Sequence, residues 1–298
     1  MFIDIHCHAY RINSPFMRFC TAEEVIARYD EMGIERGVLL PIVSPEIYQP
    51  QANEDILEMV EKYPDRLIPF CNIDPRCITN SADAPLGDLL RHYKDKGCKG
   101  LGEVMPNMAV NHPMVQNLFY HAEKVGLPVT FDGSDQLTGD FGLYDDPGLP
   151  QLEHTLQRFP NLIMLGHGPI FWTEISRLET PGERGYIFRI GGGQVGRLPK
   201  HPVKEEGVVP KLLRLYPNLY GDLSDGTAYN ALARDHDYGP RFLTEFQDRL
   251  LFGTDLCSPT MPVELPALLL DWRASGRISE TVFQKVAREN AIKLLGLD

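Results

Sequence analysis

The sequence predicts a (β/α)8 barrel of the TIM type, formed by a single domain over residues 1–298. Short apolar segments rich in Val, Ile, Leu and Phe alternate along the chain with longer segments of helical period. There are eight of these strand candidates, and strands with continuous apolar sequences are typical of parallel sheets covered on both faces. The length of 298 residues also suits one barrel, which typically takes about 250 residues before insertions.

The strand candidates are spread over the whole chain. They are FIDIH (2–6), GVLLPI (37–42), LIPFCNI (67–73), GLGEV (100–104), PVTFD (128–132), LIMLGH (162–167), LYGDL (219–223) and LLFGTD (250–255). An open doubly wound sheet would normally carry a Gly-rich phosphate-binding turn after its first strand, and this sequence has none there. The stretch GGGQVG (191–196) is instead interpreted as a flexible loop.

Helical segments separate the strands. The first begins with a capping box formed by Thr21 and Glu24 and ends at Gly33. One segment departs from the alternation, because residues 180–209 are rich in Gly and Pro and too long for a plain connection. Loops of this length are usually functional or disordered. We therefore expect a long insertion after the sixth strand.

Charge and composition narrow the class of partner. The net charge of −12 argues against nucleic acid as a partner, because such binding depends on clustered Lys and Arg. This net charge is compatible with a small-molecule substrate, including an anionic one. No apolar segment reaches the roughly 20 residues of a membrane span, and the N-terminus lacks the features of a signal peptide. The six cysteines contain no CxxC pair and are interpreted as free thiols. We expect a cytoplasmic protein, either a monomer or a homo-oligomer.

His6 and His8 lie one residue apart on the first strand candidate. Alternate residues of a strand point to the same side, so both imidazoles are expected to face the barrel mouth, where active sites of this fold gather. Two neighbouring imidazoles can chelate one divalent metal ion. An HxH pair alone is a weak signal, and its position at the end of the first strand strengthens it.

Four further ionisable residues end other strand candidates: Glu103, Asp132, His167 and Asp255. A single polar residue at a strand end is more often structural, but six such groups on five strands are hard to explain in that way. The three carboxylates would crowd one mouth, where like charges raise one another's pKa. Bound divalent cations would relieve this repulsion.

The ligand types favour zinc first and manganese second, because imidazole and carboxylate ligands occur together without a thiolate. One ion would bind His6, His8 and Asp255. A second ion would share Glu103 with the first and take His167, with Asp132 or water completing its ligands. One or two ions are therefore expected.

This pattern resembles the amidohydrolase superfamily, most closely its amidohydrolase-2 branch, which includes aminocarboxymuconate-semialdehyde decarboxylase and resorcylate-type decarboxylases. The resemblance covers almost the whole chain. Its specific parts are IDIHCH at the start and LLFGTD at 250–255, supported by IDPR, GCKGLGE, GLPV and PNLIMLGHG. It implies a metal-dependent enzyme with a TIM barrel.

Two departures from the branch bear on the reaction. Branch members usually have a His at the end of the fifth strand, where this chain has Asp132. Glu103 resembles the strand-four Glu of TatD-type hydrolases, which bridges two metals. We therefore expect a hydrolase that uses a metal-activated water on a carboxylate-bearing amide, ester or lactone. By similarity, Asp255 would be general base and then general acid, and His167 would polarise the scissile carbonyl if only one ion binds.

Two alternatives stay open. The first is a non-oxidative decarboxylase of an aromatic or unsaturated acid, with a single ion that chelates the substrate. The second is a barrel that binds metal without turnover. The basic residues of the insertion suggest capture of a substrate anion, with Arg189 as the best candidate. Tyr10, Arg11 and Trp172 are further candidates for the substrate pocket, although packing explains Trp172 equally well.

Overall fold

The computed structural model describes residues 1–12, 18–46, 50–184, 186–189, 193–196 and 198–298, and of these it describes 181, 186–189 and 193–196 by their backbone alone. The strands of this described part are β1 Phe2–Cys7, β2 Ile34–Leu39, β3 Leu67–Pro69, β4 Leu101–Val104, β5 Val129–Phe131, β6 Gly133–Ser134, β7 Leu143–Tyr144, β8 Met164–Gly166, β9 Tyr186–Arg189, β10 Gly193–Gly196, β11 Leu219–Asp222 and β12 Leu250–Leu251.

The helices lie between the strands and after the last strand. They are α1 Ala22–Met32, α2 Asn53–Lys62, α3 Leu86–Asp95, α4 Pro113–Val125, α5 Pro150–Arg158, α6 Pro169–Thr173, α7 Val208–Leu215, α8 Asp225–Ala233, α9 Tyr238–Glu245, α10 Leu265–Ala274, α11 Glu280–Gln284 and α12 Asn290–Leu295. The capping box at Thr21 and Glu24 is confirmed, and α1 ends at Gly33 in a left-handed conformation. Among the described residues, no helix has the length and apolar character that crossing a membrane would require.

Eight parallel strands form the barrel, as predicted. β1, β2 and β3 pair in that order, and β4, β5, β8, β11 and β12 form a second parallel run. Bridges between Cys71 and Leu101 and between Cys7 and Leu256 join the two runs. The backbone N–H of Ile5 also donates to the carbonyl of Phe252 at 3.0 Å. These contacts close the sheet on itself.

Apolar side chains fill both sides of this closed sheet. Ile3, Ile5 and Val38 belong to a buried cluster that also contains Ala291 and Leu295 of α12. A larger cluster lies between the strands and the surrounding helices. Since the barrel interior below the mouth is filled with apolar side chains, polar chemistry is restricted to the carboxyl ends of the strands.

The segment between α6 and α7 contains more structure than the sequence suggested. β9 and β10 pair as an antiparallel hairpin, so the interpretation of GGGQVG as a flexible loop is wrong for Gly193–Gly196. The aromatic and β-branched strand YIFR supplies the pairing partner that a Gly-rich stretch needs. An antiparallel bridge between Ser176 and Glu206 brings together the two ends of residues 177–205, which we call the insertion segment.

Candidate metal centre

Four donor atoms from three barrel strands converge at the mouth. The Nε2 atoms of His6 and His8 lie 3.1 Å apart. Oε2 of Glu103 lies 3.6 Å from Nε2 of His6 and 3.3 Å from Nε2 of His8. Oδ1 of Asp255 lies 3.5 and 3.4 Å from the same two nitrogens. The residues that the sequence placed at strand ends therefore meet around one small space.

The backbone of two strands is irregular where these ligand candidates lie. Between Asp4 and Cys7, β1 advances three residues while β2 advances two, and a similar bulge in β4 precedes Val104. An extra residue of this kind changes the direction of the side chains near it. In β1, Ile5 stays in the apolar interior while His6 next to it reaches the mouth. Simple alternation along the strand does not produce this arrangement.

Asp255 follows β12 in a left-handed backbone conformation, with φ at 54°. Such a conformation costs a non-glycine residue about 1–2 kcal/mol, and residues with this strain are found preferentially at functional sites. The backbone N–H of Asp255 donates to the carbonyl of His6 at 2.8 Å. This hydrogen bond and the local turn hold its carboxylate against the paired imidazoles.

A second group of donors shares Glu103 with the first. Oε1 of Glu103 lies 3.6 Å from Nε2 of His167, so the two carboxylate oxygens face different imidazoles. Asp132 completes this group, with donor atoms of all three residues within 4.8 Å of one another. Gly168 leaves the space for Asp132, since a Cβ there would lie 1.7 Å from its Oδ1.

The first group has the dimensions of a metal site. The five measured distances among its four donor atoms run from 3.1 to 3.6 Å. Two ligand atoms that each lie about 2.1 Å from one tetrahedral zinc ion are about 3.4 Å apart, so each of these spacings suits a pair of zinc ligands. The imidazole and carboxylate donors also suit zinc or manganese. The spacings of His6 and His8 to Glu103 and to Asp255 therefore suit a divalent ion.

The electrostatics of the mouth also favour a cation. Burial opposes protonation of His6, but the carboxylates of Asp222 and Glu103 outweigh it and raise its pKa well above the usual value. Burial likewise opposes protonation of His8, while hydrogen bonds to Asp255 and Glu103 raise its pKa to about 9. The carboxylates thus attract protons to these rings when no metal ion is bound.

The carboxylates respond in different ways to this environment. Burial works to raise the pKa of Glu103 and of Asp255, but the neighbouring histidines lower both values. Burial and the nearby charge of Glu103 raise the pKa of Asp132 well above its usual value. Asp132 therefore holds a proton more readily than an ordinary aspartate does, whereas Glu103 and Asp255 favour the ionised form.

The sequence reasoning missed Asp222, which ends β11. Its carboxylate is fully buried, and Oδ2 lies 2.6 Å from Nδ1 of His6. Ser224 follows two residues later, with its Oγ 2.9 Å from Nδ1 of His167. The signal was present in LYGD, because an acidic residue ends this apolar strand as Asp132 ends the fifth strand.

The residues predicted to contact substrate do not form one group as the metal-ligand candidates do. Trp172 is fully buried, and its indole N–H donates to the carbonyl of Asp222 at 2.8 Å, a packing position. Arg11 forms ion pairs with Asp55 and Glu58 of α2. Tyr10 is buried and stacks on Phe19, with ring centroids 4.2 Å apart. The side chain of Arg189 lies outside the described residues, as does the whole of Arg197.

Among the described residues of the insertion segment, Arg184 and Lys204 contact oppositely charged side chains. Arg184 is buried, pairs with Glu174, and donates to the carbonyls of Asp145 and Asp146 at 2.7 Å. Lys204 lies 3.4 Å from Glu179. Arg184 is thus fully engaged in holding the segment to the barrel, which explains its charge without a substrate anion.

The fold and the site together define a TIM barrel with a candidate metal centre at its mouth. The sequence matches the Amidohydro_2 family, described as amidohydrolase, over residues 3–297. This chain therefore belongs to that family, as the sequence resemblance predicted. None of the curated proteins matches it.

Several solved structures share the fold. A 2,6-dihydroxybenzoate decarboxylase from Rhizobium has a TM-score of 0.59 at 17% identity, covering 100% of this chain and 99% of its own. A 5-carboxyvanillate decarboxylase from Novosphingobium aromaticivorans, complexed with manganese, has a TM-score of 0.57 at 15% identity, covering 92% and 79%. A probable 2-pyrone-4,6-dicarboxylic acid hydrolase from Acinetobacter baumannii has a TM-score of 0.59 at 14% identity, covering 99% of both chains. At these identities the likeness establishes the fold alone.

Proposed function

We propose that this chain is a metal-dependent, non-oxidative decarboxylase of an aromatic or unsaturated carboxylic acid. The observation that carries the proposal is the convergence of His6, His8, Glu103 and Asp255 on one space of metal-site dimensions. Two of the similar structures are decarboxylases of benzoate derivatives. This proposal replaces hydrolysis, the first expectation from the sequence. We also propose that residues 1–298 form one domain.

His6, His8, Glu103 and Asp255 would hold the ion, with zinc or manganese as the candidates. When bound, the ion would supply the positive charge that binds the substrate carboxylate and a neighbouring oxygen. One similar decarboxylase contains manganese, whereas the two imidazoles also suit zinc. Loading the purified protein with each ion separately decides between them.

Decarboxylation leaves a pair of electrons on carbon and therefore requires a proton donor. Asp132 is suited to this role because it is buried at the mouth and its pKa is raised well above the usual value by burial and by Glu103. Asp255 is less suited, because its pKa is lowered. His167 lies beside Glu103 on the same side of the mouth as Asp132 and would help to orient the substrate.

The test is release of carbon dioxide from a panel of hydroxybenzoates and unsaturated acids by the zinc- or manganese-loaded protein. In D2O, one deuterium should appear on the carbon that lost the carboxylate. Asp132→Asn should keep its bound ion and lose most turnover, because an amide cannot donate the proton. A loaded protein that releases no carbon dioxide from these acids but cleaves esters or lactones would overturn the proposal.

Hydrolysis is the second candidate, and the geometry of Glu103 favours it. Its two oxygens face separate donor groups, as a bridging ligand between two ions would. The likeness of this residue to the TatD-type Glu remains part of this second hypothesis. With two ions bound, Asp255 would be the general base, because its pKa is lowered and it belongs to the first group. A stoichiometry of two ions, with one lost in Asp132→Asn, would support hydrolysis.

A further inference from the structure

The end of β11 places two polar side chains behind the imidazoles of His6 and His167. Oδ2 of Asp222 lies 2.6 Å from Nδ1 of His6 and 3.7 Å from Nδ1 of His167. Oγ of Ser224 lies 2.9 Å from Nδ1 of His167. The backbone N–H of Ser224 donates to Oδ1 of Asp222 at 3.0 Å. We call Asp222 and Ser224 the β11 clamp.

The clamp determines which nitrogen of His6 is available to a ligand. An ionised carboxylate only accepts hydrogen bonds, so the contact with Asp222 requires a proton on Nδ1 of His6. Nε2 of His6 then offers its lone pair toward His8, Glu103 and Asp255. A hydrogen bond from the opposite ring nitrogen fixes the tautomer and strengthens a histidine as a metal ligand.

The surroundings hold the clamp in place. Asp222 and Ser224 are both fully buried. The indole N–H of Trp172 donates to the carbonyl of Asp222. Gly253 leaves space for both side chains, because a Cβ at that position would lie 2.7 Å from Oδ1 of Asp222 and 2.8 Å from Cβ of Ser224. The clamp therefore has little freedom to release the imidazoles.

We propose that Asp222 and Ser224 are positioning residues that jointly orient the two candidate ion groups. Asp222 fixes the ring of His6 in the first group, and Ser224 fixes the ring of His167 in the second. Since the two residues are hydrogen-bonded to each other, one turn after β11 aligns ligands from β1 and β8. The inference rests on the metal centre of the proposed function and extends it to the strand that lies behind the imidazoles of His6 and His167.

The experiment compares ion affinity in Asp222→Asn, Ser224→Ala and the unmodified protein, by competition for Zn²⁺ or Mn²⁺ with a chromogenic chelator. Loss of such an outer partner typically costs about 10- to 100-fold in metal affinity, and this is the expected loss for Asp222→Asn. Asp145→Asn is the matched control, because Asp145 is also buried but accepts hydrogen bonds from backbone groups around the start of α5. It should lower the melting temperature and leave ion affinity unchanged.

A second measurement needs no variant and covers the case in which Asp222→Asn fails to fold. ¹⁵N NMR of the ion-loaded, histidine-labelled protein should show His6 protonated at Nδ1 and bound to the ion through Nε2. Coordination through Nδ1 would overturn the inference, as would an Asp222→Asn variant with affinity within twofold of the unmodified protein. If the unmodified protein binds neither ion, the proposed function fails together with the inference. Unchanged affinity in the variant, with normal binding in the unmodified protein, defeats the inference alone.

Discussion

The barrel mouth and the insertion segment both carry many charges, but they arrange them differently. At the mouth, buried carboxylates such as Glu103 contact imidazoles. In the insertion segment, side chains such as Arg177 and Glu205 pair with each other while 72% and 64% exposed. Charges that are already paired and hydrated have little need of a ligand, whereas crowded buried carboxylates stabilise a cation. A charged residue at the end of a barrel strand therefore predicts a ligand-binding site better than a large number of charged residues in a loop does.

The largest effect that separates the two regions should come from Asp255→Asn. The amide keeps the shape of the side chain but removes the negative charge of a proposed ion ligand, 3.4 Å from His8. Ion affinity and turnover should therefore fall by more than the roughly 10- to 100-fold that loss of an outer partner costs. Glu205→Gln makes the same chemical change in the insertion segment and should leave turnover unchanged. Steady-state kinetics on the ion-loaded variants provides the comparison, and equal activity in Asp255→Asn would refute its assigned role.

Arg184→Ala should affect stability rather than catalysis. The change leaves Glu174 buried without its cationic partner, and breaking a buried pair in this way costs about 3–5 kcal/mol. Urea unfolding should show this loss in the free energy of unfolding, while ion affinity stays at the level of the unmodified protein. A large fall in ion affinity would mean that the two regions depend on each other.

The affinity of the mouth for its ion should rise with pH. In the ion-free protein the pKa of His8 is raised to about 9, so below this pH an incoming ion must displace the proton from His8. Apparent affinity should therefore increase about tenfold per pH unit for each displaced proton, and the contribution of His8 should end above about pH 9. Calorimetry in buffers of different ionisation enthalpy counts the released protons. Affinity that is constant between pH 6 and pH 9 would contradict this account.

The smallest effect should come from Arg177→Ala. Its pair with Glu205 is largely exposed, and such surface pairs contribute about 0–1 kcal/mol. Urea unfolding of Arg177→Ala and Arg184→Ala under identical conditions compares an exposed with a buried ion pair of the same segment. The difference between their free energies of unfolding measures the effect of burial. If Arg177→Ala lowers the free energy of unfolding as much as Arg184→Ala does, exposure to solvent does not explain the difference expected between these two ion pairs.

The sequence predicted much of the fold because its signals are local. Each of the eight apolar segments overlaps a barrel strand, although β2 begins at Ile34, before the predicted 37–42, and β12 spans only Leu250–Leu251 of the predicted 250–255. The convergence of residues such as His6, Glu103 and Asp255 follows from the rule that parallel strands end at one face of the barrel.

Features that depend on contacts in the folded chain were harder to predict from the sequence. The bulge that turns His6 toward the mouth is a mismatch in register between β1 and β2. It arises when the two strands pair, so the sequence of either strand alone does not predict it. Arg184 pairs with Glu174, which directly follows α6, and donates to the carbonyl of Asp145 in the loop after β7, 39 residues away in the chain. Asp222 is different, because a consistent search of all strand ends would have included it.

The most direct test of the central claim is a crystal structure of the zinc- or manganese-loaded protein, with anomalous scattering recorded at the absorption edge of the metal. The account predicts an anomalous peak within about 2.0–2.2 Å of Nε2 of His6 and His8, with Glu103 and Asp255 as carboxylate ligands. A protein that holds no ion at the mouth, or an ion bound elsewhere while these four side chains remain unliganded, would contradict it.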